Sequence, residues 1–326
     1  MPQRRLADVS VLARESDDEF LVAAEPHRRE LLAHCYRMTG SLHDAEDLVQ
    51  ETYLRAWKAY SGFKGDSSLR TWLYRIATNT CLTSLEGRKR RPLPSGLGTP
   101  SADPAAELVE RHEVPWLEPL PDGPDPSQIV ENRESVRLAF IAALQHLSPR
   151  QRAVVVLRDV LAWKAAEVAE AIGTSTAAVN SLLQRARAQL DAVGPEDALA
   201  DPDSPETRER LARYIAAFEN YDIDSLVKMF TAEAIWEMPP FDGWYRGPQA
   251  IGSLIHLQCP AQGAGDMRLL QATANGQPAA AMYMREGDTH EPFQLHVVDF
   301  TANGVARVVA FLDTSLFTKF GLPEHL

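Results

Sequence analysis

Apolar residues recur three and four positions apart through residues 20–91, a spacing that predicts helices rather than strands. "FLVAAEPHRRELLAHCYRMTG" carries such a stripe and stops at Gly40. "SLHDAEDLVQETYLRAWKAY" follows, with Ser41 placed to cap a second helix and acids in its early turns. Beyond the turn-rich "SGFKGDSS", a third helix is predicted over "LRTWLYRIATNTCLTSLEGRKRR", ending in a basic cluster. The pattern lapses over residues 92–126, where prolines and acids predict an irregular, extended linker. Helical spacing resumes over residues 127–193. There "DPSQIVENRESVRLAFIAAL" opens on an Asx/Ser cap signal, and "SPRQRAVVVLRDV" has Ser148 as cap with Pro149 in the first helical position. A short second linker, 194–206, precedes a change of period. From Thr207 two short helices give way to alternating segments, "MRLLQATA", "AAAMYMR", "FQLHVVDF" and "VARVVAFL", with turn residues between them. That pattern predicts an antiparallel sheet. The predicted organisation is an N-terminal extension (1–19), two all-α domains (20–91 and 127–193) and an α+β domain (207–326).

Composition changes this picture little. The 326 residues are 45% hydrophobic and 24% charged, ordinary for soluble globular protein. No apolar run approaches the roughly 20 residues of a membrane span, so no membrane partner is expected. The N-terminus has no apolar segment or cleavage site of a secretory signal. Cys35, Cys81 and Cys259 are sparse and lack metal-ligand spacing, which fits a reducing cytoplasm; neither metal nor cofactor is expected. Charge is unevenly spread. Residues 1–91 are net +2, residues 92–130 net −6, residues 131–194 net +2 and residues 195–326 net −10. Two weakly basic blocks are thus separated by an acidic linker and followed by an acidic domain.

The sharpest local geometry lies in "AAEVAEAIGTSTAAVNSLLQRARAQL". Ala169, Gly173 and Val179 form the array a helix-turn-helix requires: a small residue for close helix approach, a glycine for the left-handed turn, and an aliphatic residue to pack the second helix back. The second helix then starts near Thr174 or Ser175 and turns Thr176, Ala177, Asn180, Ser181, Gln184 and Arg185 outward. Ser175 and Arg187 complete the candidate base- and phosphate-contacting set. Such a helix can enter the major groove, where Asn and Gln suit adenine and Arg suits guanine or phosphate.

"DAEDLVQETYLRAW" followed by "LRTWLYRIATNTCLTSLEGRKRR" resembles the core of sigma-70 family RNA polymerase sigma factors of the small extracytoplasmic-function (group IV) type. "LSPRQRAVVVLRDV" with the helix-turn-helix is similar to that family's promoter-reading C-terminal domain, here for the −35 element. The resemblance covers about residues 20–91 and 130–192 and implies a noncatalytic factor that binds core polymerase and melts promoter DNA. Strand separation needs aromatic faces and cations rather than a nucleophile. Phe63, Lys64, Ser67, Arg70, Trp72, Tyr74, Arg75 and Asn79 are the candidates for the −10 region. The resemblance implies that the loop from Phe63 to Ser68 lines a pocket for a flipped base. Arg88, Lys89, Arg90 and Arg91 form a cationic run suited to phosphates. In the helix before them, Ala45, Leu48, Val49, Thr52 and Ala56 can face inward. Asp47, Gln50, Glu51 and Arg55 face out, and by resemblance dock on the clamp helices of the polymerase largest subunit. The same resemblance implies that the acidic linker threads toward the polymerase active site and RNA exit path.

The last domain, through "EAIWEMPPFDGWYRGPQAIGSLI", resembles the SnoaL-like fold, a cone-shaped curved sheet wrapped by helices, which occurs fused to one subgroup of these sigma factors. "EVPWLEPLPD" in the linker and Asn180, where most other relatives have a basic residue, fit that subgroup. Cones of this kind serve as cyclases, isomerases, binding modules or dimerisation units. Acid–base candidates are His256, His290, His296, Asp299 and Asp313. Alternation in "FQLHVVDF" puts His296 and Asp299 on opposite faces, so this strand assembles no acid–base pair. Tyr214, Trp236, Met238, Trp244, Tyr245 and His296 are the candidate lining of a pocket for a small apolar ligand, and Phe218, Met282 and Phe311 add to the same aromatic and Met set. The expected function is a sigma factor whose fused domain modulates it. The competing readings are a ligand-responsive helix-turn-helix regulator and a cyclase or isomerase with an accessory DNA-binding domain.

Overall fold

The computed structural model describes residues 19–123, 133–192 and 199–326. The N-terminal extension up to residue 18, the predicted Asx/Ser cap near Asp125 and Ser127, and the start of the second linker lie outside the described residues. The chain divides into two compact units. One holds residues 1–89 and 143–193, the other residues 90–142 and 194–326. The segment between the two predicted helical domains therefore belongs to the unit that contains the sheet.

In the helical unit, residues 19–24 are helical, a 3-10 turn, Glu25–His27, follows at Pro26, and the chain continues as α1 (Arg28–Thr39). Gly40 ends α1 in the left-handed conformation at φ 70°, its N–H returning to the Tyr36 carbonyl at 2.7 Å. Ser41 caps α2 (Leu42–Ala59) by accepting from the Asp44 N–H at 3.1 Å. Ala45, Leu48, Val49, Thr52 and Ala56 are all buried, as their spacing requires. α3 (Leu69–Ser84) is shorter than its pattern suggests. Gly87, at φ 73°, turns the chain, so the basic cluster lies beyond the helix rather than on its last turn.

α4 (Leu138–Leu144) crosses the division in sequence. Ser148 and Gln151 form a reciprocal capping box at the start of α5 (Pro149–Val155), which widens into a π turn at Val156–Val160. α6 (Ala165–Ala171) and α7 (Thr176–Asp191) complete this unit.

The second unit contains α8 (Pro205–Glu219), α9 (Ile223–Met229), β1 (Phe230–Glu237), β2 (Trp244–Arg246), α10 (Pro248–Gln258), β3 (Met267–Ala274), β4 (Gln277–Glu286), β5 (Thr289–Thr301), β6 (Gly304–Phe311) and α11 (Ser315–Lys319). The sheet order is β2-β1-β6-β5-β4-β3. The sheet is not wholly antiparallel: β6 lies parallel to β1, with Trp236 opposite Val308. Three successive hairpins from β3 bring β6 back beside β1 in the same direction. Residue alternation reports which face a side chain takes, not strand direction, so this pair is invisible to it.

One face of the sheet carries Trp236, Met282, Val298, Phe300 and Val308 against Tyr214 and Phe218 of α8 and Leu254 and Ile255 of α10. The other face is covered as well: Leu295 and Val297 are buried, and the Tyr283 ring meets Phe317 of α11 at 5.0 Å. Among the described residues no helix is long and apolar enough to cross a membrane.

Residues 92–122 lie along this sheet unit instead of forming a detached spacer. Ser101 N–H donates to the Trp244 carbonyl at 2.7 Å, and Arg111 N–H to the Pro240 carbonyl at 3.0 Å. Glu110 and Phe241 form an antiparallel bridge, as do Pro121 and Ala274. Asn275, in the left-handed conformation of the β3–β4 turn at φ 58°, accepts from Leu120 N–H at 2.8 Å through Oδ1 and donates to the Val136 carbonyl at 2.6 Å through Nδ2.

Candidate functional site

The helix-turn-helix has the geometry its array demands. Gly173 adopts φ 63°, Ala169 and Val179 are buried, and Ser175 caps α7 by accepting from the Ala178 N–H at 3.2 Å. Thr176, Ala177, Asn180, Ser181, Gln184 and Arg185 are exposed along one side of α7. Arg187 is exposed too, but it is held by Asp159 through two bonds, at 2.6 and 3.1 Å.

The candidate −10 surface divides into parts that are open and parts that are engaged. Phe63 lies between two rings: Tyr60 at 6.3 Å and 13°, and Trp72 at 4.9 Å. Phe63 and Trp72 are half-buried, so the pair is a partly open aromatic platform beside exposed Lys64 and half-buried Ser67. Tyr74, read as a DNA-facing aromatic, is instead 1% exposed. It packs against His34 at 5.1 Å and donates to Glu30 Oε2 at 3.2 Å, because its position on α3 falls beside Leu73 on the inner side. Burial, then the nearby Glu30 charge, pushes its phenol pKa up. Arg70 pairs with Glu30 at 2.7 Å.

Arg75 and Asn79 meet the helix-turn-helix itself. Arg75 pairs with Glu170 of α6 at 2.9 Å, and Asn79 Nδ2 donates to the Ala171 carbonyl at 2.9 Å. Arg152 reinforces this junction. Its buried guanidinium donates to the carbonyls of Leu144 (2.9 Å), Leu147 (3.2 Å) and Met38 of α1. Burial draws its pKa down to about 10, still charged at neutral pH.

The cationic run is largely committed. Arg88 pairs with Asp44 at 2.9 Å, Arg90 donates to the Gly96 carbonyl at 3.0 Å, and Arg91 donates to the Trp116 carbonyl at 3.1 Å; Lys89 is exposed. On α2, Asp47, Gln50 and Arg55 are exposed and Glu51 is half-buried, with Arg55 and Glu51 paired at 2.6 Å.

In the sheet unit, a cavity of about 230 Å³ opens between the sheet and α10. Of the six residues predicted to line a pocket, Trp236 and Met238 do so. Tyr214 and His296 sit behind its wall. His296 is fully buried, with Nδ1 2.9 Å from the Tyr214 hydroxyl and Nε2 2.9 Å from Gln294 Oε1. The amide oxygen must accept, so Nε2 carries the proton and Nδ1 accepts from Tyr214. Burial lowers the His296 pKa to about 3, so the ring is neutral. Trp244 and Tyr245 are core residues outside this lining. Trp244 Nε1 instead donates to the Gly98 carbonyl at 3.1 Å, which makes Trp244 part of the seat for the linker. Sequence reasoning missed Phe241, Phe293 and Gln294 on the sheet side, Gln258 and Cys259 at the end of α10, and Leu108 from the linker. Asp299 faces away, bonded to Gln277.

A helical unit that joins an aromatic and cationic helix surface to a helix-turn-helix, carried with a six-stranded α+β domain, defines a sigma-70-type initiation factor. The models of Sigma-70 region 2, Sigma-70 region 4 and the SnoaL-like domain match residues 23–91, 137–190 and 211–303. The chain is 73% identical to the ECF RNA polymerase sigma factor SigG of Mycobacterium tuberculosis, over 99% of this chain and 91% of that protein. It is 35% identical to the ECF sigma factor SigJ of the same organism, over 71% of this chain and 70% of that protein. The crystal structure of Mycobacterium tuberculosis SigJ covers 92% of this chain and 98% of its own, at TM-score 0.62 and 25% identity. The chain belongs to the extracytoplasmic-function RNA polymerase sigma factors that carry a C-terminal SnoaL-like domain.

Proposed function

We propose that this sigma factor is held in a resting form by two internal contacts, and that its SnoaL-like domain regulates initiation by retaining the linker. The observation that carries the reading is the contact of Asn79 and Arg75, on the candidate −10 surface, with Ala171 and Glu170 of the helix-turn-helix. A promoter strand and α6 would compete for those two side chains. Productive initiation would spread the two sigma domains over the −10 and −35 elements, which requires the linker between them to move. Residues 92–122 are bonded to the sheet unit at both ends, by Ser101 and Arg111 on one side and Leu120 on the other.

In the open form, Phe63 and Trp72 would stack with an unpaired base and Lys64, Arg70, Arg75, Asn79 and the run Arg88 to Arg90 would follow the single strand. α7 would read the −35 element through Asn180, Ser181 and Gln184. Asp47, Gln50, Glu51 and Arg55 would meet the clamp helices of core polymerase in the cytoplasm, an acidic and polar strip suited to a basic partner. The C-terminal cavity is read as a binding site and not a catalytic one. His296, buried behind its wall, is neutral with both ring nitrogens engaged, and among the described residues no carboxylate lines the cavity.

The test is promoter-directed transcription by the full chain with core polymerase. The Glu170→Arg and Asn275→Gly variants should initiate faster than the unaltered chain while binding core equally. Absence of core binding refutes the sigma reading; unchanged initiation by both variants refutes the resting-form reading.

A further inference from the structure

We infer that closure of the helical unit shuts one DNA surface and leaves the other open, so that the free chain reads duplex DNA through α7 without polymerase while its single-strand surface stays shut. This rests on the reading of the closed helical unit as a resting form.

Both DNA surfaces lie in one compact unit, so their states can be compared directly. The contacts that close it fall on α5, α6 and the segments beside them. Glu170 and Ala171, in the last turn of α6, hold Arg75 and Asn79. Trp163, just before α6, meets the Tyr74 ring edge-on at 6.3 Å. Arg152 of α5 donates to the Met38 carbonyl near the end of α1. Gln145, just after α4, lies against Gly40, where a Cβ would stand 3.0 Å from its Nε2. None of these contacts is made by α7. Thr176, Asn180, Ser181, Gln184 and Arg185 are exposed, and among the described residues none of their side chains is bonded to another. Val179, Leu183 and Ala186 are buried, and Gln189 of α7 accepts from Gln151 of α5 at 3.0 Å. The recognition helix is therefore both fixed and uncovered in the closed unit.

The two surfaces take different forms of DNA. Asn, Gln and Arg on a recognition helix read base edges in the major groove of an intact duplex. The Phe63–Trp72 platform suits an unpaired base, and a strand that continues past it needs Arg75 and Asn79. A single strand must displace Glu170 and the Ala171 carbonyl to reach them. A duplex on α7 displaces nothing. The free energy of closure therefore weakens strand binding and not duplex binding. A ligand with equal affinity for two states shifts neither. A duplex on α7 consequently leaves the unit closed, and opening falls to a later event, core binding or strand capture.

The test uses the full chain without polymerase, at one fixed salt concentration, because phosphate contacts make affinity salt-dependent. Short duplexes with a randomised central window are selected on the chain and sequenced. The expected result is one enriched motif, bound about tenfold or more tightly than a scrambled duplex, with base preference lost at one position in Asn180→Ala and at another in Gln184→Ala. Two variants open the unit. Gly40→Asn keeps the net charge and tolerates φ 70°, and its side chain collides with Gln145. Glu170→Gln removes the exposed ion pair with Arg75 and keeps the fold. Both should bind an oligo-dT strand about two- to fivefold more tightly than the unaltered chain, by fluorescence anisotropy. Both should bind the enriched duplex within about twofold of it. No enriched motif, or a motif indifferent to Asn180→Ala and Gln184→Ala, overturns the inference. Duplex affinity that rises together with strand affinity in both variants overturns it as well, since closure would then shut both surfaces. Unchanged strand binding in both variants refutes the resting form itself, a result separate from loss of the motif.

Discussion

Asn275 offers the most direct measure of how strongly the linker is held. Its side chain bonds Leu120 N–H and the Val136 carbonyl at once, at 2.8 and 2.6 Å, and it is fully buried. Its own N–H donates to the Leu120 carbonyl at 2.8 Å and survives any substitution except proline. Asn275→Gly removes both side-chain bonds without straining the left-handed backbone at φ 58°. Each buried group left unpaired costs about 1–3 kcal/mol, so the seated linker should lose roughly 2–5 kcal/mol. At about 1.4 kcal/mol per factor of ten, the Leu120 amide should exchange some 30- to 3,000-fold faster. Asn275→Ala adds a left-handed conformation that a Cβ disfavours by about 1–2 kcal/mol, so it should be the worse of the two. Asn275→Asp keeps the acceptor for Leu120 and loses the donor to Val136, and belongs between Asn275→Gly and the unaltered chain. Native-state hydrogen exchange of the full chain measures all three. Leu120 exchange within twofold of the unaltered chain in Asn275→Gly, or a larger effect of Gly than of Ala, would refute this account of what holds the segment.

Glu170→Arg sets two cations face to face at the 2.9 Å contact with Arg75. An exposed pair is worth only about 0.2–1 kcal/mol, so single-strand binding should improve no more than several-fold, measured by fluorescence anisotropy with a −10 oligonucleotide. Asn180→Ala and Gln184→Ala should each cost about 1–3 kcal/mol in promoter affinity and leave core binding unchanged, checked by electrophoretic shift and co-purification. Two buried histidines, His34 and His296, have pKa values drawn from 6.5 down to about 3, by burial and, for His34, additionally by the Arg37 charge. Both are neutral when folded, so their contribution is complete above pH 6.5 and is lost as pH falls toward 3. Each loses about 1.4 kcal/mol per pH unit across that window. Urea titrations between pH 7 and 5 should show this slope, and His34→Gln should remove about half of it.

The parts of this molecule governed by local rules were legible in its sequence. The Gly173 turn, the Ser41 and Ser148 caps and the inward face of α2 each depend on residues within a turn or two of one another. The engagement of Arg75 and Asn79 was not legible, because an exposed polar side chain on a helix has the same sequence signature whether it meets DNA or a neighbouring helix. Tyr74 shows the converse error: residue type suggested a stacking surface, while its place next to Leu73 and Ala77 put it inside. The cavity was legible only in part. Trp236 follows from its place in β1 and Met238 is the residue just past that strand, but Phe241 comes from the β1–β2 loop, and Phe293 sits at the irregularity in β4–β5 pairing, unpaired between Pro292 and Gln294. Alternation loses its register at such a point. The seat of the linker was least legible, since Ser101, Arg111 and Asn275 attach it largely through main-chain N–H and carbonyl groups that every residue possesses.

Charge shows why that main-chain attachment matters. Residues 92–130 are net −6 and residues 195–326 net −10, so the linker is seated on a domain of its own sign. Long-range electrostatics opposes the arrangement, and the Arg111–Asp242 pair at 3.0 Å, with Arg111 also held by Glu113, is a local exception. The directional hydrogen bonds therefore act against a repulsion that salt screens, over about 10 Å at 0.1 M and about 3 Å at 1 M. Exchange at Ser101 and Arg111 should consequently slow as sodium chloride rises from 0.05 to 0.5 M. Promoter binding by α7 should weaken over the same range, because phosphate contacts release counterions. Salt should thus favour the seated linker and disfavour the promoter complex, while it weakens the exposed Arg75–Glu170 pair. If linker exchange instead accelerates with salt, the Arg111 pair outweighs the net repulsion, and the seat is electrostatic rather than a set of main-chain bonds.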